Sequence, residues 1–312
     1  MRMNRSYFQS GIVLLAIALF GCQSNKRDGM VGQADIPDVV PPEVLEASDL
    51  IPTNPRKAQK RLSKWIKANQ NHPAMDDALF YKAQAQEARG KVYPALQTYE
   101  ELAKNYGGSS HFYDTLHREV ALAEEFLGGR RRPVLGGLLR FTAYDDALEV
   151  MENVALRWPG SELAGQALMK RANFYYERKA YEEAQQAYQL LIDNYQATEH
   201  YQTALRNSAE ATLLQYLGPR YDPTPLIEAH TRYKQYLAQF PVAAAQEGAP
   251  AVLAGVEEML AEKDFETADF YRRTHKIDQA QIYWQSIIAN YPHTEWAQLS
   301  ATLLLRHAQG SN

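Results

Sequence analysis

The feature that most constrains this chain is a stripe of small and aromatic residues that recurs five times in one register. Ala184, Tyr188, Leu191, Ile192 and Tyr195 stand at offsets 0, 4, 7, 8 and 11. On an α-helix these offsets fall on one face, so the stretch predicts an amphipathic helix. The same offsets give Tyr99, Leu102, Ala103 and Tyr106 from Ala95, and Met151, Val154, Ala155 and Trp158 from Ala147. From Ala229 they give Tyr233, Tyr236, Leu237 and Phe240, and from Ala280 they give Trp284, Ile287, Ile288 and Tyr291. Three copies run directly into proline (Pro159, Pro241, Pro292), which ends a helix and turns the chain. Twelve residues before the key alanine stand Ala83, Ala172 and Ala268, and in two cases a tyrosine follows three residues later (Tyr175, Tyr271). Small residues at both positions allow two helices to approach closely, with the aromatic rings filling the space beside them.

This pattern resembles the tetratricopeptide repeat, a helix–turn–helix of about 34 residues. The unit Ser161–Gln196 matches best and lacks only the final proline. The aromatic ends fall at 106, 158, 195, 240 and 291, so the spacings are 52, 37, 45 and 51 and the units should carry longer helices or inserted loops. A degenerate sixth copy starts at Ala58 with Leu62, Trp65 and Ile66, and Glu295–Ala308 reads as a terminal helix covering the last repeat. No stretch shows the alternating period of a strand. The expectation is an all-α fold, a right-handed tetratricopeptide-repeat-like solenoid of about five units and eleven or twelve helices over residues 57–312.

Residues 1–21 read as an export signal. Arg2 and Arg5 precede nine consecutive apolar residues from Ile12 to Phe20. Nine is far short of the roughly 20 that a spanning helix needs, and fits a signal-peptide hydrophobic region. Leu19-Phe20-Gly21-Cys22 resembles the lipobox of bacterial lipoproteins, in which the chain is cut before the cysteine and the cysteine is lipidated. Cys22 is the single cysteine, which excludes a disulfide framework. Gln23 in place of Asp favours, by resemblance to the enterobacterial sorting rule, transfer to the outer membrane. From 22 to 56 the chain reads as a lipidated cysteine and flexible linker, with Pro37, Pro41, Pro42, Pro52 and Pro55 and no helical period. A short helix around Pro42–Ala47 would be marginal alone.

The charge balance, 33 basic against 37 acidic residues, gives no basic excess and argues against a nucleic-acid partner. Eight histidines are scattered without a metal-ligand spacing. There is no nucleophile elbow and no phosphate-binding glycine loop. Gly107-Gly108-Ser109-Ser110 reads as a turn and helix cap, and the pairs Asp76-Asp77, Glu124-Glu125 and Glu182-Glu183 fall at helix starts or on polar faces. The chain is therefore not expected to be an enzyme, nor to hold a metal or cofactor.

Two surfaces remain as candidate partner sites. Gly128–Phe141 interrupts the second unit and joins Arg130, Arg131 and Arg132 to Val134, Leu138, Leu139 and Phe141, a basic and apolar element suited to an acidic partner or lipid head groups. The smaller insertion Gly218–Pro225 reads as a bend. The tetratricopeptide resemblance implies a groove lined by the first helix of each unit. It points to Asp77, Phe80, Gln84 and Glu87 in the first full unit and to Gln166, Met169, Asn173 and Tyr176 in the third, suited to an extended peptide.

With the lipobox at Cys22, the tether, and the repeat ends Ala184–Tyr195, Ala280–Pro292 and Ala147–Ser161, the chain resembles the BamD (YfiO/ComL) family of outer-membrane assembly lipoproteins over roughly Ala58 to Ala308. The resemblance implies a lipid-anchored scaffold on the periplasmic face of the outer membrane. Its implied partners are the barrel-assembly protein, other assembly lipoproteins and unfolded barrel precursors. A periplasmic adaptor for cell-wall constriction, or for secretin or pilus assembly, is the alternative reading.

Overall fold

The computed structural model describes residues 39–134, 138–196 and 198–310. The export segment, Cys22 and most of the tether lie outside them. Fourteen helices and one hairpin are present among the described residues. In order they are α1 (Pro42–Ser48), α2 (Pro55–Ala68), α3 (Met75–Ala88), α4 (Val92–Asn105), α5 (Phe112–Leu127), β1 (Arg131–Val134), β2 (Leu139–Thr142), α6 (Tyr144–Arg157), α7 (Glu162–Glu177), α8 (Tyr181–Asn194), α9 (His200–Leu213), α10 (Thr224–Gln239), α11 (Pro241–Gln246), α12 (Ala249–Arg273), α13 (Ile277–Asn290) and α14 (Glu295–Gly310). No described helix is long and apolar enough to cross a membrane.

The fold is an all-α tetratricopeptide-like solenoid. Consecutive helices pair in the units α3/α4, α5/α6, α7/α8, α9/α10 and α12/α13, and first helices also touch along the series, as α5 with α7 and α7 with α9. The alanine register explains why the pairs close so tightly. Ala95, Ala147, Ala184, Ala229 and Ala280 on the second helices are all 0% exposed, as are Ala83, Ala172 and Ala268 on the first helices. The aromatic or long side chain four residues after the key alanine fills the space that the small residues leave. Tyr99, Met151, Tyr188 and Trp284 are fully buried, and Tyr233 nearly so.

The structure departs from the sequence expectation in three places. The segment read as linker up to Arg56 is already folded from Pro42. Helix α1 buries Val44 and Ala47 against Leu62 of α2 and Ala78 of α3, so tertiary burial supplies what a seven-residue helix lacks alone. With α11, it brings the helix number above the expected twelve. The third departure is the segment read as a strandless loop. β1 and β2 pair antiparallel, Arg131 opposite Thr142 and Val134 opposite Leu139. Strands of four residues carry too few positions for a period-two signal, and all four β2 residues are exposed, so no buried face imposes alternation. The Gly218–Pro225 segment is a bend, with Gly218 at φ +121°, held by Lys263 of α12, whose Nζ donates to the carbonyls of Pro219 and Tyr221.

Candidate partner-binding surfaces

Between successive first helices runs a set of polar contacts that uses three of the eight residues pointed to by the repeat resemblance. Asp77 on α3 accepts from His111 Nε2 at 2.9 Å, at the entry to α5. The His111 ring stacks on Phe80 with centroids 4.1 Å apart, so Phe80, 6% exposed, is a packing residue and not a groove residue. Glu87 at the far end of α3 pairs with Arg118 of α5 at 2.7 Å. One unit on, Glu124 of α5 meets Lys170 of α7 at 3.0 Å. Tyr176 of α7 donates to Glu210 of α9 at 2.7 Å. Burial and the adjacent Glu210 carboxylate hold the Tyr176 hydroxyl far above its ordinary pKa, so it stays a donor. Asn173 accepts from Tyr188 of α8 at 2.6 Å. Gln166 is exposed and donates to Glu162 on its own helix, while Gln84 and Met169 are half-buried. Of the eight positions, Asp77, Glu87, Asn173 and Tyr176 are thus engaged in bonds between helices. Gln84, Gln166 and Met169 remain the most accessible to a partner.

The start of α7 holds an arrangement that no local motif announces. Ligand-capable atoms of Glu162, Glu199 and His200 lie within 4.8 Å of one another. His200 Nε2 bonds Glu162 at 2.8 Å, and both carboxylates are exposed. The His200 ring fits there because residue 165 is glycine. A Cβ on Gly165 would stand 2.7 Å from His200 Cδ2.

A second polar cluster was likewise missed by sequence reading. Glu119 lies on the apolar face of α5, 0% exposed, and meets Arg157 of α6 at 3.5 Å, while Arg157 also pairs with Glu100 of α4. Burial, reinforced by the hydrogen bond and charge of Glu100 and opposed by Arg157, raises the Glu119 carboxyl well above the usual carboxylate range. Burial also pulls Glu100 upward, but hydrogen bonds from Arg157 and Glu119 and the positive charges of Arg157 and Lys104 together outweigh it, leaving Glu100 below its ordinary value. The signal was present as a single acidic residue between Leu116, Val120 and Ala123 on one helical stripe.

The three consecutive arginines divide among separate tasks. Arg130 pairs with Glu125 at the end of α5. Arg132 donates to Tyr93 Oη at 2.8 Å and pairs with Asp146 at 2.9 Å, with its guanidinium 5.3 Å from the Tyr93 ring centroid. It thereby fastens the hairpin to α4 and α6. Arg131 is exposed and lines a cavity of about 570 Å³ with Lys91, Tyr93, Phe126, Pro133 and Arg140. Leu138, Leu139 and Phe141 are exposed at 83%, 45% and 51%.

Paired helices, buried alanines and polar contacts between successive first helices define a tetratricopeptide-type interaction scaffold. The tetratricopeptide repeat model matches residues 77–109, which cover most of α3, all of α4 and the turn after them. The model of the YfiO outer membrane lipoprotein family matches residues 138–309, more than half of the chain, and the chain belongs to that family. Similar solved structures include a tetratricopeptide repeat protein from Parabacteroides merdae, 14% identical, with 80% of this chain and 92% of that chain covered and a TM-score of 0.34. The C-terminal part of a repeat protein from Cytophaga hutchinsonii is 15% identical, with coverages of 83% and 86% and a TM-score of 0.36. A thermophilic repeat protein from Thermus thermophilus is 16% identical, with coverages of 68% and 98% and a TM-score of 0.30. No curated protein sequence matches the chain.

Proposed function

We propose that this chain is a non-catalytic scaffold of the outer-membrane β-barrel assembly machinery. Cys22 carries its lipid anchor on the periplasmic face of the outer membrane. The body binds the barrel-assembly protein through the periplasmic domains of that protein, works beside other assembly lipoproteins, and holds segments of unfolded barrel precursors. The observation that carries this reading is the family match across 138–309, which runs from β2 through α14 and so takes in most of the paired helices. Repeated helix pairs offer a rigid, segmented surface for an extended polypeptide, and binding there needs no bond to be made or broken. Gln84, Gln166 and Met169 are the accessible positions on first helices, and Arg130, Arg131 and Arg132 organise the hairpin surface.

The test is crosslinking in intact cells, then affinity purification of the tagged, lipidated chain and mass spectrometry. A barrel protein with repeated periplasmic domains is the expected main partner, and depletion of the chain should lower outer-membrane barrel proteins. Recovery of cell-wall or secretion components alone, with barrel protein levels unchanged, would discard the assembly role.

A further inference from the structure

The hairpin sorts its chemistry onto two faces. Cross-strand partners in an antiparallel pair share a face, and alternate residues along each strand switch faces. The register pairs Pro133 with Arg140 and Arg131 with Thr142, which puts both exposed arginines on one face; Arg132, Leu139 and Phe141 belong to the other. The arginine face closes over the cavity of about 570 Å³, whose floor comes from the α3–α4 turn and the end of α5. Lys91 enters from the turn, while Tyr93 supplies an aromatic wall backed by the buried Phe126. The size falls within the range of small-molecule sites, about 300–1,000 Å³.

The charge balance of this cavity is one-sided. Lys91, Arg130, Arg131 and Arg140 line it, and among the described residues the lining contains no carboxylate. Arg130 has its counter-charge in Glu125. Among the described residues, Lys91, Arg131 and Arg140 form no ion pair, although the protein as a whole carries net charge −4. Three cations held around one concavity repel one another, and an anion seated between them relieves that repulsion. Two guanidinium forks and an ammonium offer donors from several directions. That suits the three or four oxygens of a phosphate group better than the two oxygens of one carboxylate.

We propose that the cavity between the hairpin and the α3–α4 turn is a binding site for a phosphate ester, held by Lys91, Arg131 and Arg140 with its organic part against Tyr93. The ester is either the headgroup of an anionic phospholipid or a soluble phosphate ester of similar size. The site engages none of the first-helix positions assigned to barrel assembly and shares with that reading only Arg131 of the hairpin surface.

The experiment uses the full chain in detergent and two probes. Glycerol 3-phosphate is titrated by calorimetry, and flotation compares phosphatidylcholine vesicles with vesicles that also contain phosphatidylglycerol. The lipid anchor acts equally in both vesicle types, so only the phosphatidylglycerol-dependent excess is read. Arg131→Ala/Arg140→Ala is the test variant. Both side chains are exposed and form no ion pair among the described residues, so its thermal melt should match the parent, and Lys91→Ala serves as a second variant. Loss of two charge-assisted bonds, at about tenfold each, predicts about a hundredfold weaker binding in the double variant and about tenfold in Lys91→Ala, with binding falling as salt rises. Arginine-dependent binding of glycerol 3-phosphate without a vesicle excess supports the site with a soluble ligand; an arginine-dependent vesicle excess supports it with a lipid headgroup. The proposal is overturned if neither probe responds to the substitutions. It is equally overturned if a polyglutamate peptide competes as well as the phosphate ester, which would make the cavity a dock for an acidic protein segment.

Discussion

The second and third units leave their first helices by the same turn and then diverge. At the end of α7 the N–H of Ala180 donates back to the carbonyl of Tyr175 at 3.0 Å, with Lys179 left-handed at φ 60°. At the end of α5 the N–H of Arg130 donates to Glu125 at 3.0 Å, with Gly129 at φ 98°. The same bond closes α3, from Lys91 to Gln86, and α12, from Lys276 to Tyr271. This six-to-one bond with a left-handed residue inside it satisfies carbonyls that a helix end leaves open. In the first, third and fifth units the next residue starts the second helix. In the second unit it starts β1, and a hairpin is inserted before α6. The helix exit is thus a property of the repeat that leaves the next element free, so a hairpin can be added without disturbing the packing on either side. The turn between the helices of the third unit serves packing alone, whereas the hairpin inserted in the second presents chemistry to its surroundings.

If that division is real, truncating a buried ring in the third unit should have the largest effect on stability. Tyr188 is 0% exposed and sits beside Ala172 and Ala184 in the same cluster. Tyr188→Ala removes the ring, leaves a cavity and strips the hydroxyl from Asn173, so about 3–5 kcal/mol should be lost. Phe141→Ala in the hairpin removes a half-exposed ring and should change stability by about 0.5 kcal/mol or less. Urea denaturation of the two variants compares them directly, and similar midpoints would abolish the distinction between a packing unit and a presenting one.

The second unit also holds the buried carboxyl, and its effect follows pH. Glu119 is raised above its ordinary value of 4.5 in the folded chain. A group raised on folding contributes stability fully below its unfolded pKa and loses it as pH rises through the folded value. Glu100 is lowered, so it acts oppositely and weakens the fold only as pH falls. Glu119→Gln removes the first dependence and leaves the second. The variant should therefore gain stability relative to the parent as pH is raised from about 5 towards neutrality, as followed by denaturant midpoints at several pH values. A constant difference across that range would mean that Glu119 is ionised in the folded chain throughout.

What the sequence made legible was whatever repeats. One register of alanines and aromatics located nine of the helices, one of them through the degenerate copy at Ala58, because small-residue packing constrains the units alike. The hairpin escaped because its four-residue strands bury neither face in a regular alternation. Helix α1 was legible only as a short helix around Pro42–Ala47, marginal alone, because its stability lies in Val44 and Ala47 meeting α2 and α3, a contact that local propensity does not contain. The candidate groove residues show a different limit. Periodicity tells which face of α3 or α7 a residue occupies, but not whether the next first helix brings a complement to it. Asp77 with His111 and Tyr176 with Glu210 are each 34 residues apart, one repeat length. A search for complementary polar pairs at that separation was the available signal. The trio at Glu162, Glu199 and His200 and the Glu119–Arg157–Glu100 cluster lack any such fixed spacing, and only the folded chain assembles them.

The smallest expected effect is on the attachment of the hairpin itself. Arg132 bridges Tyr93 on α4 and Asp146 on α6, and its guanidinium lies beside the Tyr93 ring. Neither α4 nor α6 needs that bridge to pack, since Tyr99, Ala95, Ala147 and Met151 are buried without it. Arg132→Ala should then leave the global denaturation midpoint close to the parent value. It should nevertheless let the hairpin open locally, with amide exchange across β1 and β2 faster by about tenfold while exchange in α4 and α6 is unchanged. Acceleration spreading into α6 would show that the inserted element is coupled to the core of its unit, and the independence argued from the shared helix exit would fail at that point.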